Sequence, residues 1–117
     1  MTKELPTCNN INMVKLTAFV GLNDKESKVQ EIATEVAMTM IQGKVAESFP
    51  FGGTVSSAKG VYQHHNGDVV IEESVRIELF LEDSQKDAVN GFLATIKGML
   101  NQESILVEYS TPSVEFI

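Results

Sequence analysis

The sequence has no tryptophan, one cysteine, three prolines and two tyrosines among its 117 residues. With so few aromatics, Leu, Ile, Val and Met must fill any core. One cysteine, Cys8, cannot close an internal disulfide, so nothing in the sequence points to an oxidising compartment. No apolar run approaches the roughly 18 residues that a membrane span needs. The N-terminus lacks the basic-then-apolar layout of a secretory signal, so the expected location is the cytoplasm. Basic residues are sparse as well: nine Lys and Arg stand against sixteen Asp and Glu, a formal net charge of -7, with no basic stripe. Nucleic-acid binders carry such a stripe to displace counterions from phosphate. The composition therefore argues against nucleic acid and anionic membranes as partners and leaves a basic protein partner open.

What is present suits one core. Hydrophobic residues make up 43% of the chain, too many for a disordered segment. Residues 1–11 read as a loose leader and 12–117 as a single domain. Residues 12–22 alternate as a strand, with Val14, Leu16, Ala18 and Val20 on one face. Ser27 to Gln30 fits a capping box, followed by Val29, Ile32, Ala33, Val36, Ala37 and Met40 at helical spacing. That helix is expected either to end at Gly43 or to run on towards Phe49. Residues 54–62 and 69–82 read as a hairpin about Asn66-Gly67, with the positive φ angles of a type I′ turn. Ser84 to Asp87 fits a second capping box, opening a helix over about 84–100 with Val89, Phe92, Leu93, Ile96, Met99 and Leu100 as its stripe. Gly91 and Gly98 on that helix suggest close packing against the first. Ser104–Tyr109 is the last strand, and Val114, Phe116 and Ile117 continue an extended pattern beyond Pro112.

The order β-α-β-β-α-β predicts an α+β, ferredoxin-like sandwich, an antiparallel sheet with two helices on one face. The other face is left open. It should carry Lys15, Thr17, Glu72, Ser74, Arg76 and Glu78, with Met13, Phe19 and Phe80 among them.

Several short matches then accumulate. Phe49-Pro50-Phe51-Gly52-Gly53-Thr54-Val55 and Ala58-Lys59-Gly60-Val61-Tyr62 are followed by Gly67, Glu72 and Ser74. Gln102-Glu103-Ser104 and a terminal Val114 and Phe116 complete the set. Together they resemble, over residues 14–117, a bacterial family called domain of unknown function 3574. That family shows a Phe-Pro-x-Gly-x-Thr stretch, a Gly-x-aromatic step, a Glu-x-Ser step, a Gln-Glu-Ser step and a terminal Val-x-Phe. Its members often have Trp where this chain has Tyr62, and Arg or Lys where it has Ile71. The resemblance carries no established activity.

The candidate chemistry is modest. His64-His65 falls short of the three or four ligands of a zinc site, and neighbouring strand residues point to opposite faces, so no metal is expected. No phosphate-binding loop, dinucleotide fingerprint or nucleophile elbow is present, so no cofactor and no catalytic residue is assigned. The positions to test as a ligand site are Tyr62, Glu72, Ser74, Arg76, Gln102 and Glu103. Arg76 is placed to hold an anion, or to pair with Glu72 or Glu78. Three readings follow, in order. The first is a non-catalytic interaction domain that self-associates through its open face into a homodimer or higher homo-oligomer. The second is a small-molecule sensor or regulator with its site near the hairpin and last strand. The third is an enzyme on a small organic substrate with Glu72 or Glu103 as acid or base, marked by a closed pocket around a carboxyl of raised pKa; burial of Glu103 beside Glu72 would hold one of the two protonated.

Overall fold

In the computed structural model, which describes residues 13–117, the elements follow the expected order. They are β1 (Val14–Gly21), α1 (Thr34–Ser48), β2 (Gly53–Gln63), β3 (Val69–Leu81), a 3-10 turn (Asp83–Gln85), α2 (Lys86–Met99) and β4 (Leu106–Ser110). The leader expected over 1–11, with Cys8, lies outside the described residues. The strands form one antiparallel sheet in the order β2-β3-β1-β4. This is the α+β arrangement expected of a ferredoxin-like chain, in which each helix crosses over one intervening strand.

Alternation decides which face is core. Leu16, Ala18 and Val20 of β1 stand opposite Leu79, Ile77 and Val75 of β3, and all six are fully buried. Ala37, Ile41 and Val45, each four residues apart on α1, pack on them together with Val89, Phe92 and Ile96 of α2. Phe49, just past α1, meets Phe92 edge-to-face with ring centroids 5.0 Å apart, a favoured aromatic geometry that joins the two helices.

Three local expectations fail, each for a physical reason. The capping box at Ser27 does not form: α1 begins seven residues later, at Thr34, with Ala33 as an N-cap that makes no side-chain bond. Asp24 Oδ2 instead accepts the N–H groups of Glu26 and Ser27, at 2.9 and 3.0 Å, and Lys28 takes a left-handed φ of 68°. A local Asp turn thus outcompetes the helix, and Val29 and Val36 stay exposed. Before α2 the capping box is built from Glu82 and Gln85, not Ser84 and Asp87, with the Glu82 N–H donating to Gln85 Oε1 at 2.9 Å. The hairpin turn is not type I′, because of its loop residues only Gly67 has a positive φ. The Gly67 N–H donates to the His64 carbonyl and the His64 N–H to the Asp68 carbonyl, both at 2.8 Å. This is a turn closed by one left-handed glycine. In addition, Gly91 and Gly98 face open space, so they do not mark the helix contact, and no strand follows Ser110.

The hairpin outruns the rest of the sheet. β1 stops at Gly21, opposite Ser74, whereas β2 and β3 stay paired out to Gln63 and Val69. Residues 60–63 and 69–72 form a two-stranded arm beyond the helices. On its helix-side face Val61, Val69 and Ile71 are 63–65% exposed.

Candidate cleft between the arm and the last strand

The site starts from Gly21. Glu72 lies on the open face of β3, one step diagonal from it, and its carboxylate rests over the glycine. A Cβ at Gly21 would stand 2.5 Å from Glu72 Oε2 and 2.7 Å from Oε1. Glu72 Oε2 accepts the Asn23 N–H at 2.8 Å. The carboxylate is thus held by a backbone donor where only glycine leaves room.

The next layer ties the loop after β1 to the junction between α2 and β4, far along the chain. Gln102 is buried, and its Nε2 donates to the carbonyls of Asn23 (2.8 Å) and Leu100 (3.1 Å). The Asn101 amide donates to Asp24 Oδ1 at 2.7 Å, and the Lys25 N–H donates to the Asn101 carbonyl at 3.0 Å. The Asn101 side chain, with the Ser27 and Glu26 N–H groups after it, holds the Asp24 carboxyl below its ordinary pKa by bonding the charged form.

Between this zipper and the arm lies an open cleft of about 640 Å³, within the usual size range of small-molecule sites. Phe19, Tyr62, Val70 and Leu106 project into it from the four strands. By register they share the open face: Phe19 pairs with Leu106, and Tyr62 with Val70. Asp24, Lys25, Lys28, Gln102, Glu103 and Ser104 form the polar rim. His64 also lines the cleft, its ring 5.5 Å from that of Tyr62.

Four of the six positions singled out from sequence, Tyr62, Glu72, Gln102 and Glu103, line this one cleft. Ser74 and Arg76 do not. Ser74 is buried, with its hydroxyl 3.4 Å from the Glu72 carbonyl. Arg76 bonds Glu78 Oε2 through Nη2 at 3.0 Å, and Lys15 Nζ meets the same oxygen at 3.0 Å. Of the two carboxylates considered as partners for Arg76, Glu78 is therefore the one used. Glu103 is exposed, so the buried Glu72–Glu103 pair needed for an acid does not form. Among the described residues no group of three or more His, Cys, Asp or Glu is placed to hold a metal. Gly21, Asn23, Asp24, Lys25 and Lys28 were not singled out as site positions from sequence, and Phe19 was placed only on the open sheet face. The one usable signal was Asn23-Asp24, a turn pair sitting beside two lysines.

The fold and the register define an α+β, ferredoxin-like domain with an exposed cleft at one end of its sheet. The chain belongs to the family described as protein of unknown function DUF3574, whose model matches residues 15–116. Solved structures share the fold. A phage SAM lyase in complex with S-methyl-5'-thioadenosine is 20% identical, with a TM-score of 0.62, covering 98% of this chain and 90% of that one. CutA from Synechococcus elongatus is 10% identical at a TM-score of 0.57, covering 88% and 79%. A B. subtilis GlnK–ATP complex is 15% identical at 0.54, covering 85% and 82%. No curated protein matches the chain.

Proposed function

We propose that this chain is a small-molecule-binding domain, a sensor or regulator whose ligand occupies the cleft between the hairpin arm and the last strand. The carrying observation is the convergence there of Tyr62, Glu72, Gln102 and Glu103 from three separate stretches of chain. A carboxylate seated on a glycine and bonded by a backbone N–H is preorganised for recognition, and the aromatic wall beside it suits a flat ring. Two of the fold relatives are described with adenosine compounds, which makes these the first probes. Catalysis by Glu72 or Glu103 is not carried forward, since it called for a closed pocket around the carboxyl, whereas the cleft is open and Glu103 is exposed. The test is native mass spectrometry and thermal shift of the chain with S-methyl-5'-thioadenosine, S-adenosylmethionine and ATP. At least one is expected to bind the parent chain and to lose affinity with Tyr62→Ala, but not with Lys59→Ala on the other face. Equal loss in both variants would contradict the placement.

A second reading, self-association into a homo-oligomer, is favoured by the exposed apolar side of the arm at Val61, Val69 and Ile71 and by Phe80 and Leu106 on the open face. Apolar groups clustered on a projecting element suit contact with another copy. The two readings are compatible where contact is made through Val61, Val69 and Ile71, on the opposite face of the hairpin from the cleft; Leu106 lines the cleft itself, so contact through it would compete with a ligand.

A further inference from the structure

We infer that the ligand is a zwitterionic amine attached to a flat ring, its ammonium group held by Glu72 and Gln102; this rests on the cleft being a ligand site. Glu72 Oε2 takes the Asn23 N–H, while Oε1 has no hydrogen-bond partner among the described residues. Gln102 is only 7% exposed, and both groups bonded by its Nε2 are carbonyls. Those carbonyls fix the orientation of the amide and leave Oε1 with no protein donor among the described residues; the buried side-chain atom without a partner there is Arg76 Nε, not this oxygen. Glu103, next along the chain, makes no ion pair among the described residues. This part of the wall therefore offers acceptors and negative charge, with the Asn23 N–H already used by Glu72, and an ammonium group brings three N–H donors and the opposite charge.

The same rim also carries cations. Lys25 and Lys28 line the same cleft, and neither makes an ion pair among the described residues. Of the carboxylates nearest in sequence, Asp24 is already taken by Asn101, Ser27 and the Glu26 N–H, and Glu26 Oε1 by the Asn101 amide. The lysines are thus placed for a ligand carboxylate, while Phe19 and Tyr62 face the ring. A polyanion is disfavoured, because three carboxylates and two lysines line the cleft of a chain with net charge -7.

Calorimetric titration of the full chain with three adenosine compounds separates charge from ring. S-adenosylmethionine joins the ring to an amino-acid group through a sulfonium cation, S-methyl-5'-thioadenosine keeps the adenosine with a neutral thioether, and ATP adds only negative charge; S-adenosylhomocysteine, which keeps the amino-acid group without the sulfonium, is the control and should bind within about threefold of S-adenosylmethionine. S-adenosylmethionine is expected to bind tightest, with S-methyl-5'-thioadenosine weaker by about tenfold or more, and ATP weaker than either. Glu72→Gln keeps an oxygen for the Asn23 N–H. It should lower the affinity for S-adenosylmethionine about tenfold while leaving that for S-methyl-5'-thioadenosine within about threefold. Glu103→Gln, at an exposed position, gives a second reading of the same charge, and thermal unfolding checks that each variant is folded. If S-methyl-5'-thioadenosine or ATP binds as tightly as S-adenosylmethionine, or Glu72→Gln weakens all alike, the charge assignment is overturned while the cleft stands as a binding site. If none of the three binds, both are overturned.

Discussion

Gly21 and Gly53 are both strand glycines with no room for a Cβ, yet they should respond differently to alanine. At Gly53 the added carbon meets Leu79 Cδ2 at 2.5 Å and the Glu78 carbonyl oxygen at 2.7 Å. Backbone cannot step aside, so Gly53→Ala is expected to destabilise the fold by about 1–3 kcal/mol. At Gly21 the obstacle is the end of the Glu72 side chain, which can swing away. Gly21→Ala should therefore change stability by less than about 1 kcal/mol and still remove ligand binding. Chemical denaturation together with titration separates the two, and equal stability losses would contradict the assignment. Asp24 supplies a second test at this scale. Its carboxyl is held below the ordinary value by the Asn101 amide and two backbone N–H groups. The sign follows from preference for the charged form: the stabilising contribution is present above the unfolded-state pKa and fades as pH falls through the folded one. An NMR titration should find Asp24 titrating low and moving up in Asn101→Ala, whereas an unmoved midpoint would rule out the Asn101 bond as the main cause. Glu72, Gln102 and Glu103 were legible in the sequence through short family-like steps. Lys25 and Lys28 were not, because Ser27 and Gln30 have the spacing of a helix start and Asp24 overrides it.

At the scale of elements, strand alternation read well wherever a buried face imposed it. β1 and β3 fall within two residues of their expected bounds, since Leu16, Ala18 and Val20 face Leu79, Ile77 and Val75 across the ladder. The capped helix starts read poorly, because side-chain oxygens of similar reach compete within a few residues, as Ser84 and Glu82 do. The arm was legible as a hairpin but not as a projection, which depends on where β1 ends and the helices stop covering the sheet. Val61 and Ile71 are cross-strand partners there, and both are exposed. If the arm mediates self-association, Ile71→Lys should leave the unfolding transition of the fold nearly unchanged and reduce the assembly to monomer in analytical ultracentrifugation. A parent chain that is monomeric at high concentration would dismiss the assembly reading.

For the molecule as a whole, the element order was enough to foresee the topology, because two βαβ units joined by a hairpin have few economical ways to cover one antiparallel sheet. The cleft was not foreseeable in the same way. Its base is a set of contacts between residues 23–25 and 100–102, such as Asn101 with Asp24, 77 positions apart, and no local pattern announces them. What the topology does is bring the end of β1, the start of the arm and the entry to β4 to one end of the sheet, where side chains of unlike chemistry share a space of ligand size. The most direct measurement is an NMR map of backbone amide shifts as the labelled chain is titrated with S-adenosylmethionine. The account predicts shifts confined to Phe19–Lys28, Tyr62–His64, Val70–Glu72 and Gln102–Leu106. Saturable shifts centred elsewhere, or none at all, would contradict it.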